Sequence, residues 1–249
     1  TGKTIKTGAS IEMRTRVTLL LFPLLTLIAA NSFASTEPDI FSNPESLLPP
    51  TQHWSGVSES LVVAADEPWV TPAEATQLVS TPDYAETINW LRRLADASPE
   101  LKMVSIGRSL EGRDIWMVIA SSDRTFTSEA MKNSGKPLLL AHSGIHAGEI
   151  DGKDAGMMLL RDMTVAAKRS ELLKEANFLF IPVLNVDGHE RRSAFNRINQ
   201  RGPSQMGWRT NARNQNLNRD FTKLDTRGVR ALVRVFRQWQ PDLYLDLHV

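Results

Sequence analysis

The chain contains no cysteine in 249 residues. Disulfides, thiolate-ligated zinc and cysteine nucleophiles are therefore excluded. A domain this large can rely on its hydrophobic core instead. Charge of one sign is also lacking: 29 basic and 28 acidic side chains leave a formal net charge of +1, with no long run of like charge. That balance excludes the electrostatic footprint of a nucleic-acid binder. Apolar runs long enough to cross a bilayer are missing as well. The longest, Val17 to Ala30, has 14 residues, short of the ~20 that a span needs.

That apolar run has another reading. It follows a short basic start, Met13-Arg-Thr-Arg16, and is followed by small residues in Ser32-Phe33-Ala34. This is the layout of a secretory signal peptide cleaved after Ala34. Residues 1–34 are thus expected to be upstream sequence plus signal, and the protein to be exported, periplasmic or extracellular, with no stable membrane span after cleavage. Without residues 1–34 the chain keeps 25 basic and 27 acidic residues, a net charge near −2. Residues 35–75, rich in Pro, Ser, Thr and Glu, read as a lead-in ordered in patches rather than a core.

From residue 76 onward the pattern alternates. Thr81-Pro-Asp-Tyr84 opens an amphipathic helix carrying Ile88, Leu91 and Leu94, and Pro99 ends it. Runs 102–106 and 115–120 read as strands joined across the glycine-bracketed Gly107–Arg113 turn. Strands are expected at 138–141, 178–184 and 243–247, and helices at 151–163 and 225–239. Strands alternating with helices predict an α/β fold with a mixed, largely parallel central sheet flanked by helices. In such sheets ligands gather at the carboxyl ends of strands.

Two motifs fall at those ends. His146-Ala-Gly-Glu149 follows the apolar segment 138–141, and His248 closes Asp246-Leu-His248, 99 residues after Glu149. Two imidazoles and one carboxylate make the three-donor set of a catalytic zinc, with a fourth position open to water. His146, Glu149 and His248 are therefore the expected ligands of one Zn2+ per chain. His142 competes on paper. On an extended strand, however, it lies ~13 Å from His146, so it is expected to be a supporting or structural group. His189 follows Asn185-Val-Asp-Gly188, read as a turn, and is expected to face solvent. His53 lies in the lead-in and carries no argument.

Between the ligand motifs the chain is dense in Arg and Asn: Trp208-Arg209, then Asn216-Leu-Asn-Arg-Asp-Phe221. A guanidinium offers a planar fork suited to a carboxylate, and a cation near a zinc site can stabilise an oxyanion.

With these pieces in place the sequence resembles the zinc carboxypeptidases of the carboxypeptidase A type, from about Thr81 to the end. The likeness is carried by Gly107–Arg113, His146/Glu149, Asn185–Gly188, Trp208-Arg209, Asn218-Arg219 and Asp246-Leu-His248, in that order. It implies that residues 76–249 are the N-terminal part of a catalytic domain. It implies that Arg209 polarises the scissile carbonyl, and that Asn218 and Arg219 clamp the free carboxylate of a peptide or protein C-terminus, the substrate. Val186 stands where the family has Pro. Asn216 stands where it often has an Asp bonded to the first zinc histidine; an amide raises ligand basicity less than a carboxylate. The family's general-base Glu and substrate-binding Tyr follow the third ligand and are expected beyond Val249. Other readings share parts of the pattern: a zinc amidohydrolase that deacylates N-acyl amino acids, and a catalytically silent peptide-binding module.

Overall fold

The structure is a computed structural model and describes residues 56–248. The signal-peptide reading and residues 35–55 of the lead-in lie outside the described residues. Among the described residues no helix is long and apolar enough to cross a membrane.

A one-turn helix, α1 (Pro72–Ala75), precedes the longer α2 (Tyr84–Ala97). Asp83 caps α2 by accepting from the Glu86 amide at 2.8 Å, while Glu86 accepts from the Asp83 amide at 2.9 Å, a reciprocal capping box. Strands β1 (Leu101–Arg108) and β2 (Asp114–Ala120) form an antiparallel hairpin. Then come α3 (Ser128–Asn133), β3 (Leu138–Ser143), α4 (Asp151–Met163), α5 (Glu171–Glu175), β4 (Asn177–Ile181), α6 (Val186–Glu190), α7 (Arg227–Trp239) and β5 (Leu243–Leu247).

The five strands form one sheet in the order β1-β2-β4-β3-β5. The β1/β2 and β2/β4 pairs are antiparallel, while β4, β3 and β5 run parallel. Alternation along the strands divides the core into two layers. Ile119, Leu140 and Leu179 pack with Val229, Leu232 and Val235 of α7. Val118, Ala141 and Phe180 pack with Met157 and Leu160 of α4 and with Leu91 and Leu94 of α2. Helix α4 lies so close to the sheet that a Cβ at Gly156 would sit 2.1 Å from the Phe180 ring.

Parallel strands end on the same side, which sets the site. The carboxyl ends of β3 and β5 release His146 and His248 there, and the segment after β4 leads into α6. Strand β4 stops at Ile181, short of the expected 184, because Pro182 has no amide to continue the ladder; the chain stays attached through Leu184 N–H to the Ser143 carbonyl at 2.9 Å. Helix α7 begins at Arg227 rather than 225 because Thr226 is its N-cap, bonded in turn to Asp220.

The last patch of the lead-in is tied into the domain. Glu74 is buried and accepts from Arg161 Nη1 of α4 at 2.6 Å, from the Thr71 amide at 2.9 Å and from the Val63 amide at 3.1 Å.

Candidate metal centre

Local folding brings the pieces together. After β3 the chain turns through His146–Glu149, closed by Glu149 N–H to the His146 carbonyl at 3.0 Å, and α4 starts at Asp151. His146 and Glu149 are buried, 1% and 2% exposed. His248 follows β5 and retains about a third of its side-chain exposure.

Three donor atoms face a common point. His146 Nδ1 lies 2.9 Å from His248 Nε2. Glu149 Oε2 lies 3.3 Å from His146 Nδ1 and 3.5 Å from His248 Nε2. Four donors about 2.0–2.2 Å from a tetrahedral zinc stand roughly 3.3 Å from one another, so this triangle has the size of one face of that tetrahedron. Among the described residues this is the one group of three His, Cys, Asp or Glu side chains that could hold a metal ion.

The partners of the outer nitrogens set the tautomers. His146 Nε2 faces Asn216 Oδ1 at 3.1 Å. That oxygen also accepts from the Asn218 amide, so it is an acceptor and the imidazole proton belongs on Nε2. His248 Nδ1 faces Asp246 Oδ2 at 3.2 Å, which places its proton on Nδ1. Both inward nitrogens therefore present lone pairs. Burial is the largest influence on His146 and lowers its pKa against the opposing pull of Glu149, so the ring is neutral and able to ligate. Two lone pairs and a carboxylate converging in a mostly buried space call for a cation.

Arginine surrounds Glu149. Arg197 Nη1 donates to Oε1 at 2.8 Å, and Arg209 Nη1 lies 3.8 Å from the same oxygen. Arg209 is held through its backbone, its carbonyl accepting from Asn185 Nδ2 at 3.3 Å, and its side chain is 42% exposed. Asn218 Nδ2 lies 3.5 Å from His248 Nε2. Arg219 projects to solvent at the same rim, one Nη1 bond closing on the Asn218 carbonyl at 2.9 Å. His146, Glu149, His248, Arg209 and Asn218 thus lie around one centre, whereas the exposed Arg219 side chain bonds, among the described residues, only the adjacent Asn218 carbonyl.

The Gly107–Arg113 turn and the Asn185–Gly188 segment prove to be one unit. Buried Asp187 accepts from Ser109 Oγ at 2.7 Å and from Arg113 Nη1 at 2.9 Å. Residues 185–190 are not a simple turn: Asn185 caps α6 by accepting from the Gly188 amide. That corrects the reading of His189 as solvent-facing. It is 3% exposed, with Nδ1 2.8 Å from Glu190 and Nε2 3.3 Å from Lys153 Nζ. His142 is fully buried against Tyr244 and Asp246 and stays out of the cluster.

A family model described as zinc carboxypeptidase matches residues 87–249. The chain belongs to the zinc carboxypeptidase family. It is 32% identical over 165 residues to carboxypeptidase Z of Mus musculus, covering 59% of this chain and 24% of that protein. It is 26% identical over 195 residues to the inactive metallocarboxypeptidase ecm14 of Sclerotinia sclerotiorum, covering 73% and 32%. Among solved structures, carboxypeptidase A of Helicoverpa armigera superposes with a TM-score of 0.54 at 21% identity, covering 71% of this chain and 50% of that one; that likeness concerns the fold. The chain spans about a quarter of the length of the carboxypeptidase Z proteins it matches. The zinc carboxypeptidase match begins within α2 and takes in the sheet, the His146 turn, the Arg209 loop and His248.

Proposed function

We propose that this protein is an exported zinc metallocarboxypeptidase that removes residues from peptide C-termini. The observation that carries this reading is the triangle of His146 Nδ1, His248 Nε2 and Glu149 Oε2, with edges of 2.9, 3.3 and 3.5 Å. These residues would hold Zn2+, which when bound lowers the pKa of a coordinated water to about 7 and polarises a carbonyl.

The rest is done by the chain's own groups. His146 and His248 are aimed inward by their bonds to Asn216 and Asp246. Arg209 stands beside Glu149 with its side chain partly free, placed to donate to an oxyanion forming on the scissile carbonyl. Asn218 and Arg219 lie at the rim on the His248 side and offer an amide and an unburied guanidinium to a terminal carboxylate. A peptide must bring its free end to that rim, which makes the reaction one of chain ends. Export through residues 13–34 belongs to the same reading.

The test is an assay of the metal-loaded protein on hippuryl-type dipeptides, on the same compounds with the carboxylate amidated, and on N-acetyl and N-succinyl amino acids. Turnover of the free-acid peptides alone, abolished by chelation and restored by zinc, is the expected result. Preferential turnover of the N-acyl amino acids would make it an amidohydrolase, and peptide binding without turnover would make it a silent binding module.

A further inference from the structure

A line of polar side chains runs beneath the metal centre, on the face of the sheet that packs against α7. Strands β3 and β5 are paired in parallel, with Leu140 opposite Tyr244 and His142 opposite Asp246. Side chains two positions apart share a face, so Tyr244, Asp246 and His248 follow one another along β5, with His142 beside them on β3. The lower end is packed into the core: the Tyr244 ring meets the Phe236 ring of α7 edge-on, with centroids 4.6 Å apart. The upper end is the metal-facing imidazole of His248.

Asp246 links the two ends, and only one of its oxygens is hydrogen-bonded. Oδ2 fixes His248 Nδ1 at 3.2 Å. Oδ1 is buried with no hydrogen-bond partner. A buried carboxylate oxygen left in that way favours rotation of the group towards water, and the Asp246 side chain, 27% exposed, has that route. Rotation would release the His248 ring.

His142 opposes it. The Nε2 edge of this fully buried ring lies 3.4 Å from Oδ1 and is bonded to the Tyr244 hydroxyl. Its other nitrogen, Nδ1, has no hydrogen-bond partner. Burial is the largest influence on this histidine and lowers its pKa to about 4, so the ring is neutral and carries one proton. With two oxygens near Nε2 and no partner at Nδ1, that proton belongs on Nε2, where the N–H dipole faces the Asp246 carboxylate.

We propose that His142 is a positioning residue for the metal centre: its Nε2 edge, steadied by Tyr244, holds Oδ1 of Asp246, and Oδ2 thereby keeps the His248 ring turned to the ion. The proposal rests on the metal-centre reading above. It adds a residue that touches neither metal nor substrate, and it gives the ladder Tyr244, His142, Asp246, His248 a direction, from core to ion.

Zinc affinity, measured by competition with a chromophoric chelator, reads this without turnover. His142→Leu removes the polar edge and keeps most of the bulk, and it should weaken zinc binding by about 10- to 100-fold. His142→Gln keeps an amide donor on that side and should recover most of the loss. In an Asp246→Ala background His142→Leu should change zinc affinity little, since the carboxylate through which it acts is gone. NMR of the histidine ring nitrogens in the zinc-loaded wild type needs no variant: a proton on Nε2 of His142 is expected, and one on Nδ1 overturns the proposal. Wild-type affinity in His142→Leu overturns it too, as do a His142→Gln no better than His142→Leu and equal losses with and without Asp246; the metal centre then stands. A wild-type protein that binds no zinc overturns the centre and the proposal together.

Discussion

His146 and His248 are 102 positions apart in sequence, yet their Nδ1 and Nε2 atoms face one another at 2.9 Å. Neither nitrogen has a proton to share, because Asn216 and Asp246 draw the imidazole protons to the far sides of the two rings. Facing lone pairs repel, so the arrangement is favourable only with positive charge between them. His146→Ala or His248→Ala should therefore lower the zinc content of the purified protein from about one per chain towards zero, with the fold retained by circular dichroism. Elemental analysis after dialysis checks it. Full zinc retention in either variant would break the reading.

Arg209 is anchored at its backbone and free at its tip: its carbonyl accepts from Asn185, while its side chain stays 42% exposed beside Glu149. A donor so placed is expected to act on charge that develops during reaction. Arg209→Ala should lower kcat by roughly 10²–10³, with a much smaller change in KM. An effect confined to KM would remove Arg209 from the oxyanion role.

Arg219 has a different signature. It lies at the exposed rim next to Asn218, whose amide is 3.5 Å from His248. Arg219→Ala should raise KM for substrates with a free terminal carboxylate and leave poor, carboxylate-blocked substrates almost unchanged. Steady-state kinetics on the two substrate sets decides it; equal losses on both would mean that Arg219 serves the fold rather than the chain end.

Much of this arrangement was legible before any coordinates. Helix 151–163 and strand 243–247 have the expected ends, since Pro241 bars continuation of α7 and the apolar periods are unambiguous. His146, Glu149 and His248 could be read as a set because each follows an apolar strand and parallel strands share an end. Arg197 could not. Its segment has no period, and its position is fixed by contact with Gly148 and Glu149, 49 and 48 residues earlier. His189 failed for a related reason: a polar residue after an Asn-Val-Asp-Gly segment looks like surface, but Asn185 starts a helix there and turns the imidazole onto Lys153. The buried lysine itself, donating to the Pro82 carbonyl at 2.6 Å, shares helix α4 with buried Asp154, Arg161 and Asp162, and nothing in the helical period marks these charges as interior.

His189 makes stability depend on pH. Burial, reinforced by the Lys153 charge, lowers its pKa to about 4 despite the Glu190 carboxylate; Arg192 adds to the lowering. The unfolded value is near 6.5, so the unfolded chain takes up the proton first. The stabilisation is complete above pH 6.5 and is lost as pH falls from there towards 4, by up to about 3 kcal/mol. Urea unfolding at pH 7 and at pH 4.5 should show a smaller difference for His189→Gln than for wild type. The same pH dependence in both would exclude His189 as a contributor.

Arg161 joins the lead-in to the domain. Its guanidinium bonds Glu74 through Nη1 at 2.6 and 2.9 Å and Asp162 through Nε at 2.8 Å, and all three residues are 3% exposed or less. Removing only the arginine leaves two buried carboxylates without their counter-charge. Arg161→Met should therefore cost about 3–5 kcal/mol, whereas pairing it with Glu74→Gln should recover part of that, because a neutral amide removes one of the two unpaired charges and its single oxygen can still accept from the Thr71 amide. The coupling energy from the double-mutant cycle measures the pair. Since Glu74 is what fastens Val63 and Thr71, the single variant should also be cut faster by proteases between residues 56 and 75, a local loosening that the double variant reverses in part. Additive stability changes with no gain in cleavage would mean that apolar packing, rather than this ion pair, holds the segment down.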